Sequence, residues 1–145
     1  MNINGTWYNE LGSYMTIQVI DKNITGNYYT KVGDATGIYE LVGQIDIDQD
    51  NSTAIGWVVL WNNQYGSSDS VTSWSGQIHT LNGTESIVTT SLLTTETESD
   101  DDWHSTLIGK DTFTRIEPTK EQVDKMRNKG VNYSFPHKQL NLQKE

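Results

Sequence analysis

Val71-Thr72-Ser73-Trp74-Ser75-Gly76-Gln77-Ile78-His79-Thr80-Leu81-Asn82-Gly83-Thr84-Glu85-Ser86-Ile87-Val88-Thr89-Thr90-Ser91-Leu92-Leu93 reads as two alternating stretches joined by one turn pair. Asn82 and Gly83 both tolerate the positive φ of a type I′ turn, so the segment is a β-hairpin with strands near 71–79 and 85–93. Working outward, the same period-2 alternation gives six more strands, about 5–11, 14–20, 25–31, 38–46, 54–62 and 104–116. Turn chemistry separates them at Asp21-Lys22-Asn23, Gly33-Asp34, Asp48 to Ser52, Gly66 to Asp69 and Ser99 to Asp102. No helical period intervenes. The expected fold is therefore all-β, an eight-stranded antiparallel up-and-down meander closed into a β-barrel. Closure removes the exposed edges and leaves room for one small ligand.

The 145 residues form one domain with enough chain to bury a core. Its barrel is expected over 1–117, followed by a C-terminal extension over 118–145. The formal charge of −9 argues against a nucleic-acid surface, and no apolar run approaches the length that crosses a membrane. Charge is unevenly spread: residues 1–117 hold four Lys/Arg against sixteen Asp/Glu, and the extension holds six against three. In the extension, Thr119-Lys120-Glu121-Gln122 has the form of a capping box, predicting a short helix over about 119–129. From Val131 to Glu145 no regular structure is expected. That basic end reads as a loose terminus, the alternative being a strap that lays Tyr133, Phe135 and Leu140 over a pocket mouth. Cysteine is absent, so there is no disulfide framework and no thiolate metal site. Residues 1–4 carry neither a basic n-region nor an apolar h-region. The chain is expected to be secreted or periplasmic if a signal peptide has been removed, and intracellular otherwise.

Residues two apart on a strand share a face. Parity groups Trp7, Asn9, Leu11 and Ser13; Tyr28 and Thr30; Trp57, Val59 and Trp61; Ser70, Thr72 and Trp74; and Asp111 and Phe113. Indoles thus share the expected interior with amides, hydroxyls and one carboxylate. Buried polar groups cost a few kcal/mol each when unpaired, so such an interior is either wet or filled by a ligand that satisfies them. Trp7, Trp57 and Phe113 are expected to be structural, with Arg115 from the last strand over the Trp7 ring.

These segments resemble the avidin and streptavidin family. The resemblance runs through Gly5-Thr6-Trp7-Tyr8-Asn9-Glu10-Leu11-Gly12-Ser13, Thr25-Gly26-Asn27-Tyr28, Lys31-Val32-Gly33-Asp34-Ala35 and Gly56-Trp57 to Trp61. It continues through Thr72-Ser73-Trp74-Ser75-Gly76-Gln77 and from Trp103 to Phe113, and covers residues 4–117. It implies non-catalytic, high-affinity binding and sequestration of biotin, with no cofactor. By position, Asn9, Ser13 and Tyr28 would donate to the ureido oxygen of biotin, and Asp111 and Thr30 would accept from its N–H groups. Thr72 would lie against the sulfur. Ser70 and the Asp34 N–H would meet the valeryl carboxylate. Trp61 and Trp74, with Leu11, Val32 and Leu93, would wall the pocket, and residues 31–37 would close as a lid. Trp103 would reach into a neighbouring subunit, implying a homo-oligomer, a tetramer rather than a dimer. One departure stands out: Ser91 occupies the position where the family usually has a wall tryptophan. Asp69 adds negative charge near the ligand's carboxylate. Both predict binding weaker than the family's best.

The competing reading is a lipocalin-like carrier of a small hydrophobic ligand, which shares the Gly-x-Trp opening and the returning arginine but predicts a more apolar interior. An enzyme is disfavoured. His79, His104 and His137 have no metal or triad spacing, and Asp111 is the one carboxylate that parity turns inward, with no second acid to pair with it.

Overall fold

The computed structural model describes residues 2–31, 37–47, 52–61 and 69–129. Eight antiparallel strands close into a barrel in chain order. They are β1 Gly5–Tyr8, β2 Tyr14–Ile20, β3 Asn23–Tyr29, β4 Ile38–Ile45, β5 Ser52–Trp61, β6 Ser70–Leu81, β7 Thr84–Thr95 and β8 Thr106–Thr114. The Asn82-Gly83 hairpin joins the two longest strands. Its turn residues have φ of 52° and 76°, as the I′ geometry requires, and pairing runs from Leu81↔Thr84 to Ser70↔Thr95.

Two boundaries that bear on the site differ from the sequence expectation. β1 ends at Tyr8, not near residue 11, because Asn9 to Ser13 form a tight turn in which Gly12 takes a φ of 81°. β8 begins at Thr106, and the acidic run before it winds into a 3₁₀ helix, Ser99–His104, instead of a plain turn. The extension forms helix α1, Lys120–Asn128, with the expected capping box: Thr119 Oγ1 accepts the Gln122 N–H at 3.2 Å, and Gln122 Oε1 accepts the Thr119 N–H at 2.9 Å. Residues 32–36, expected to close as a lid and including Val32 and Asp34, residues 66–68 and the tail segment 130–145 lie outside the described residues.

Alternation inside the barrel follows the parity groups. Trp7, Trp57, Val59, Trp61, Trp74 and Phe113 are all buried in one cluster with Met15, Leu41, Ile78 and Ile87. Strands approach closely around it: a β-carbon on Gly43 would fall 2.2 Å from the Gly56 carbonyl oxygen, so only glycine fits without movement. One end is plugged by Trp7, whose Nε1 donates to the Ile3 carbonyl at 2.9 Å. The Arg115 guanidinium lies 3.7 Å from the Trp7 ring centroid, donates to the Asn4 and Asn2 carbonyls at 3.0 and 2.9 Å, and meets Glu85 at 3.2 Å. These contacts supply much of the join between the first and last strands, because the β1–β8 ladder holds one registered pair, Tyr8↔Thr114. Replacing Arg115 by Ala is expected to destabilise the fold by about 2–3 kcal/mol, from the lost cation–π contact and charge-assisted hydrogen bonds. Urea unfolding checks this; a loss below about 0.5 kcal/mol, typical of an ordinary surface change, contradicts it.

Candidate functional site

The site is built around the β1–β2 turn. Asn9 is buried, and its Oδ1 accepts the N–H groups of Leu11 and Ser13, both at 3.0 Å. This Asx turn, closed by Asn9 N–H to the Ser13 carbonyl at 2.8 Å, fixes which way the amide faces. With the oxygen occupied by two backbone donors, Nδ2 is turned to the interior, where it donates to Asp111 Oδ1 at 3.4 Å. Ser13 is buried too, and its Oγ accepts the Lys31 N–H at 3.2 Å, which leaves the hydroxyl proton to be given elsewhere.

Tyr28 enters from β3. Its ring stacks on Trp74 at 5.3 Å and meets Trp61 edge-on at 5.6 Å. Burial, then the charges of Asp111 and Glu10, push its pKa well above the ordinary tyrosine value. The phenol is thus held as a neutral O–H donor. Asp111, buried on β8, is the acceptor of the group: Oδ2 takes the Trp74 Nε1–H at 2.8 Å and Oδ1 takes the Asn9 amide. Trp61 is fixed in turn, Nε1 donating to Thr72 Oγ1 at 2.8 Å.

Asn9, Ser13, Tyr28, Trp61, Thr72, Trp74 and Asp111 are therefore all withdrawn from solvent and joined by contacts or shared neighbours. Leu11 and Leu93 are buried apolar residues, and Thr30 is half-buried just beyond β3. Ser70 opens β6 with a buried hydroxyl that has no hydrogen-bond partner among the described residues. Ser91 is fully buried opposite Trp74 in the β6–β7 register. Trp103 stands apart: it sits in the 3₁₀ helix with 83% of its surface exposed, away from the buried cluster. Among the described residues no group of three His, Asp or Glu is placed to hold a metal.

Sequence parity missed Glu10. An even position beside inward Asn9 and Leu11 points away from the barrel interior, yet the residue is half-buried and its Oε2 is withdrawn from solvent. Glu10 Oε1 accepts the Thr112 N–H at 2.9 Å, and Oε2 is buried with no partner among the described residues. Only the β1–β8 register, which sets residue 10 beside residue 112, reveals this.

A family profile described as the Avidin family matches residues 1–116, the whole barrel. The chain belongs to the avidin family. It is 34% identical to avidin from Gallus gallus over 128 residues, covering 83% of this chain and 82% of the relative. Avidin-related protein 4/5 from the same organism is 33% identical over 121 residues, covering 79% and 78% of the two chains. Afifavidin from Afifella pfennigii is 29% identical over 128 residues, covering 86% and 76%. Membership in the avidin family sets the lipocalin-like reading aside.

Glu10 also gives the site a pH signature. Burial raises its pKa above the ordinary 4.5, partly offset by hydrogen bonds from its own backbone and from Thr112. The folded chain then holds the proton more tightly than the unfolded chain. The resulting stability is fully present below pH 4.5 and is lost as pH rises through the raised pKa. The melting temperature of the wild type minus that of Glu10→Gln is expected to increase as pH falls from 7 towards 4. Thermal scans across that range check it, and a difference independent of pH contradicts it.

Proposed function

We propose that this chain binds biotin without chemical change, sequestering it in the barrel mouth as a homo-oligomer. The observation that carries the reading is the fixed polarity of the polar cluster. The Asn9 amide nitrogen, the Ser13 hydroxyl and the Tyr28 phenol are all disposed as donors, and the buried Asp111 carboxylate beside them is a pure acceptor. A cyclic urea presents the complement: a polarised oxygen that takes several donors, flanked by N–H groups that give to acceptors. In this reading Asn9, Ser13 and Tyr28 bind the ureido oxygen, Asp111 takes one ureido N–H as a charge-assisted bond, and Thr30 takes the other. Thr72 lies against the sulfur and Trp61 and Trp74 flank the thioether ring, with Leu11, Val32 and Leu93 completing the apolar wall. Ser70 and the Asp34 N–H receive the valeryl carboxylate, and the Ser70 hydroxyl, which has no partner among the described residues, supports that role.

Ser91 replaces an indole, and the lost wall contact, on the order of 100 Å² at about 25 cal/mol per Å², weakens binding by about 2–3 kcal/mol relative to a site with the indole.

Assembly is supported by the outer face. Val42, Val58, Ser73, Leu92 and Ile108 form one continuous outward row across β4 to β8, and each of its four apolar members is exposed. Leu60 and Val88 extend the apolar surface beside it. An antiparallel barrel in water ordinarily shows polar residues outward, so this face fits burial against a second copy. Trp103 then completes the pocket of a neighbouring subunit, and a tetramer is the expected assembly.

Quenching of tryptophan fluorescence by added biotin, with light-scattering mass on the same sample, tests both parts. Saturation at one biotin per chain and the mass of four chains are expected. Asp111→Ala should raise the biotin Kd by about 30-fold or more, the cost of losing a buried charged partner. An absence of quenching at millimolar biotin, or an unchanged Kd in the variant, sinks the biotin reading. A monomer mass sinks the assembly.

A further inference from the structure

The barrel closes where its ladder is weakest. Extending the single pair Tyr8↔Thr114 along the antiparallel register would set Glu10 opposite Thr112. The main chain has already turned away at Asn9, so no ladder carbonyl from β1 is there to take the Thr112 N–H. The Glu10 carboxylate takes it, at 2.9 Å. On the opposite side of the same peptide unit, the Asp111 carbonyl accepts the Thr89 hydroxyl at 2.9 Å. Both polar groups of the peptide that follows the Asp111 Cα are thus gripped by side chains, one from each neighbouring segment.

That peptide aims the Asp111 side chain. Its carboxylate reaches Trp74 on one oxygen and Asn9 on the other, and Asn9 is the residue next to Glu10. The β1–β2 turn therefore holds Asp111 twice, through the Asn9 amide at the carboxylate and through Glu10 at the backbone. Glu10 is among the residues that line a groove of about 490 Å³ between the seam and α1. Tyr8, Glu117, Lys125 and Lys129 line the same groove, and Asp111 and Tyr28 are buried in the barrel. None of the cations is bonded to Glu10, whose second oxygen has no partner among the described residues, so the carboxylate is committed to Thr112.

We propose that Glu10 is a positioning residue for the ligand site: by substituting for the missing ladder partner of Thr112 it fixes Asp111 in the direction that accepts a ureido N–H. For its effect on ligand this rests on the biotin reading; for its effect on Asp111 it does not. Small misplacements of a hydrogen-bond acceptor are costly, so the grip matters more than its distance from the ligand suggests.

The test uses the full chain. The indole N–H resonance of Trp74, bonded to Asp111 Oδ2, reports the placement of Asp111 without any ligand. Glu10→Ala is expected to shift that resonance and to raise the biotin dissociation rate about tenfold, whereas Glu10→Gln, which keeps an acceptor oxygen, should restore both towards wild type. Arg115→Ala, which loosens the same seam without touching Asp111, should lower stability and leave both readouts in place. In an Asp111→Ala background, adding Glu10→Ala should change dissociation less than about twofold, because the residue it positions is gone. An unshifted Trp74 resonance in Glu10→Ala overturns the proposal, as does an equal effect on dissociation in both backgrounds. Should the wild type bind no biotin, the biotin reading falls, and the Trp74 resonance still decides whether Glu10 holds Asp111.

Discussion

A carboxylate inside a barrel lined with indoles is costly unless donors surround it, and the arrangement of this molecule's interior follows from offsetting that cost at Asp111. Trp74 gives its N–H to one oxygen and Asn9 gives its amide to the other. Satisfying Asp111 fixes the Trp74 ring, against which Tyr28 and Trp57 stack at 5.3 and 5.6 Å. It also requires the Asn9 nitrogen to face inward, which the Asx turn secures by occupying the oxygen. One buried charge therefore sets the orientation of an indole, an amide and a phenol. A site organised this way before any ligand arrives loses little free energy to rearrangement on binding.

The same charge explains the location of the site. Asp111 lies beside the seam between the first and last strands, where a single registered pair closes the barrel. Side chains do there what a longer ladder does elsewhere: Arg115 spans to the carbonyls of Asn2 and Asn4, Glu10 reaches Thr112, and Asn9 reaches Asp111. A ligand held by both Asn9 and Asp111 would bridge the two sides of the seam. Binding and barrel closure are then coupled, and ligand is expected to stabilise the fold in proportion to its affinity.

Much of this was legible in the sequence. The alternation at Trp57, Val59 and Trp61 and at Ser70, Thr72 and Trp74 assigned the inward face, since a period of two leaves no other way to bury the indoles. Asn82-Gly83 pinned the longest hairpin, and Thr119 with Gln122 marked the start of α1. The errors have a common physical origin. Asn9, Leu11 and Ser13 keep the strand's alternation and are all buried, yet the backbone there is a turn, because an Asx turn can bury the same side chains that a strand would. The acidic run before Trp103 winds into a 3₁₀ helix, since short helical turns carry no apolar period to read. Glu10 escaped because its partner is 102 residues away and is reached only through the closing register. Periodicity reports which side of a strand a residue faces and is silent on what the far end of the chain brings to it.

The most direct test of the account is a crystal structure with biotin bound. It is predicted to show the ureido oxygen within hydrogen-bond distance of Asn9 Nδ2, Ser13 Oγ and Tyr28 Oη, with one ureido N–H on Asp111 and the Asn9 amide still fixed by the Leu11 and Ser13 N–H groups. A ureido oxygen turned away from these three donors, or biotin seated in the groove beside α1, would contradict it.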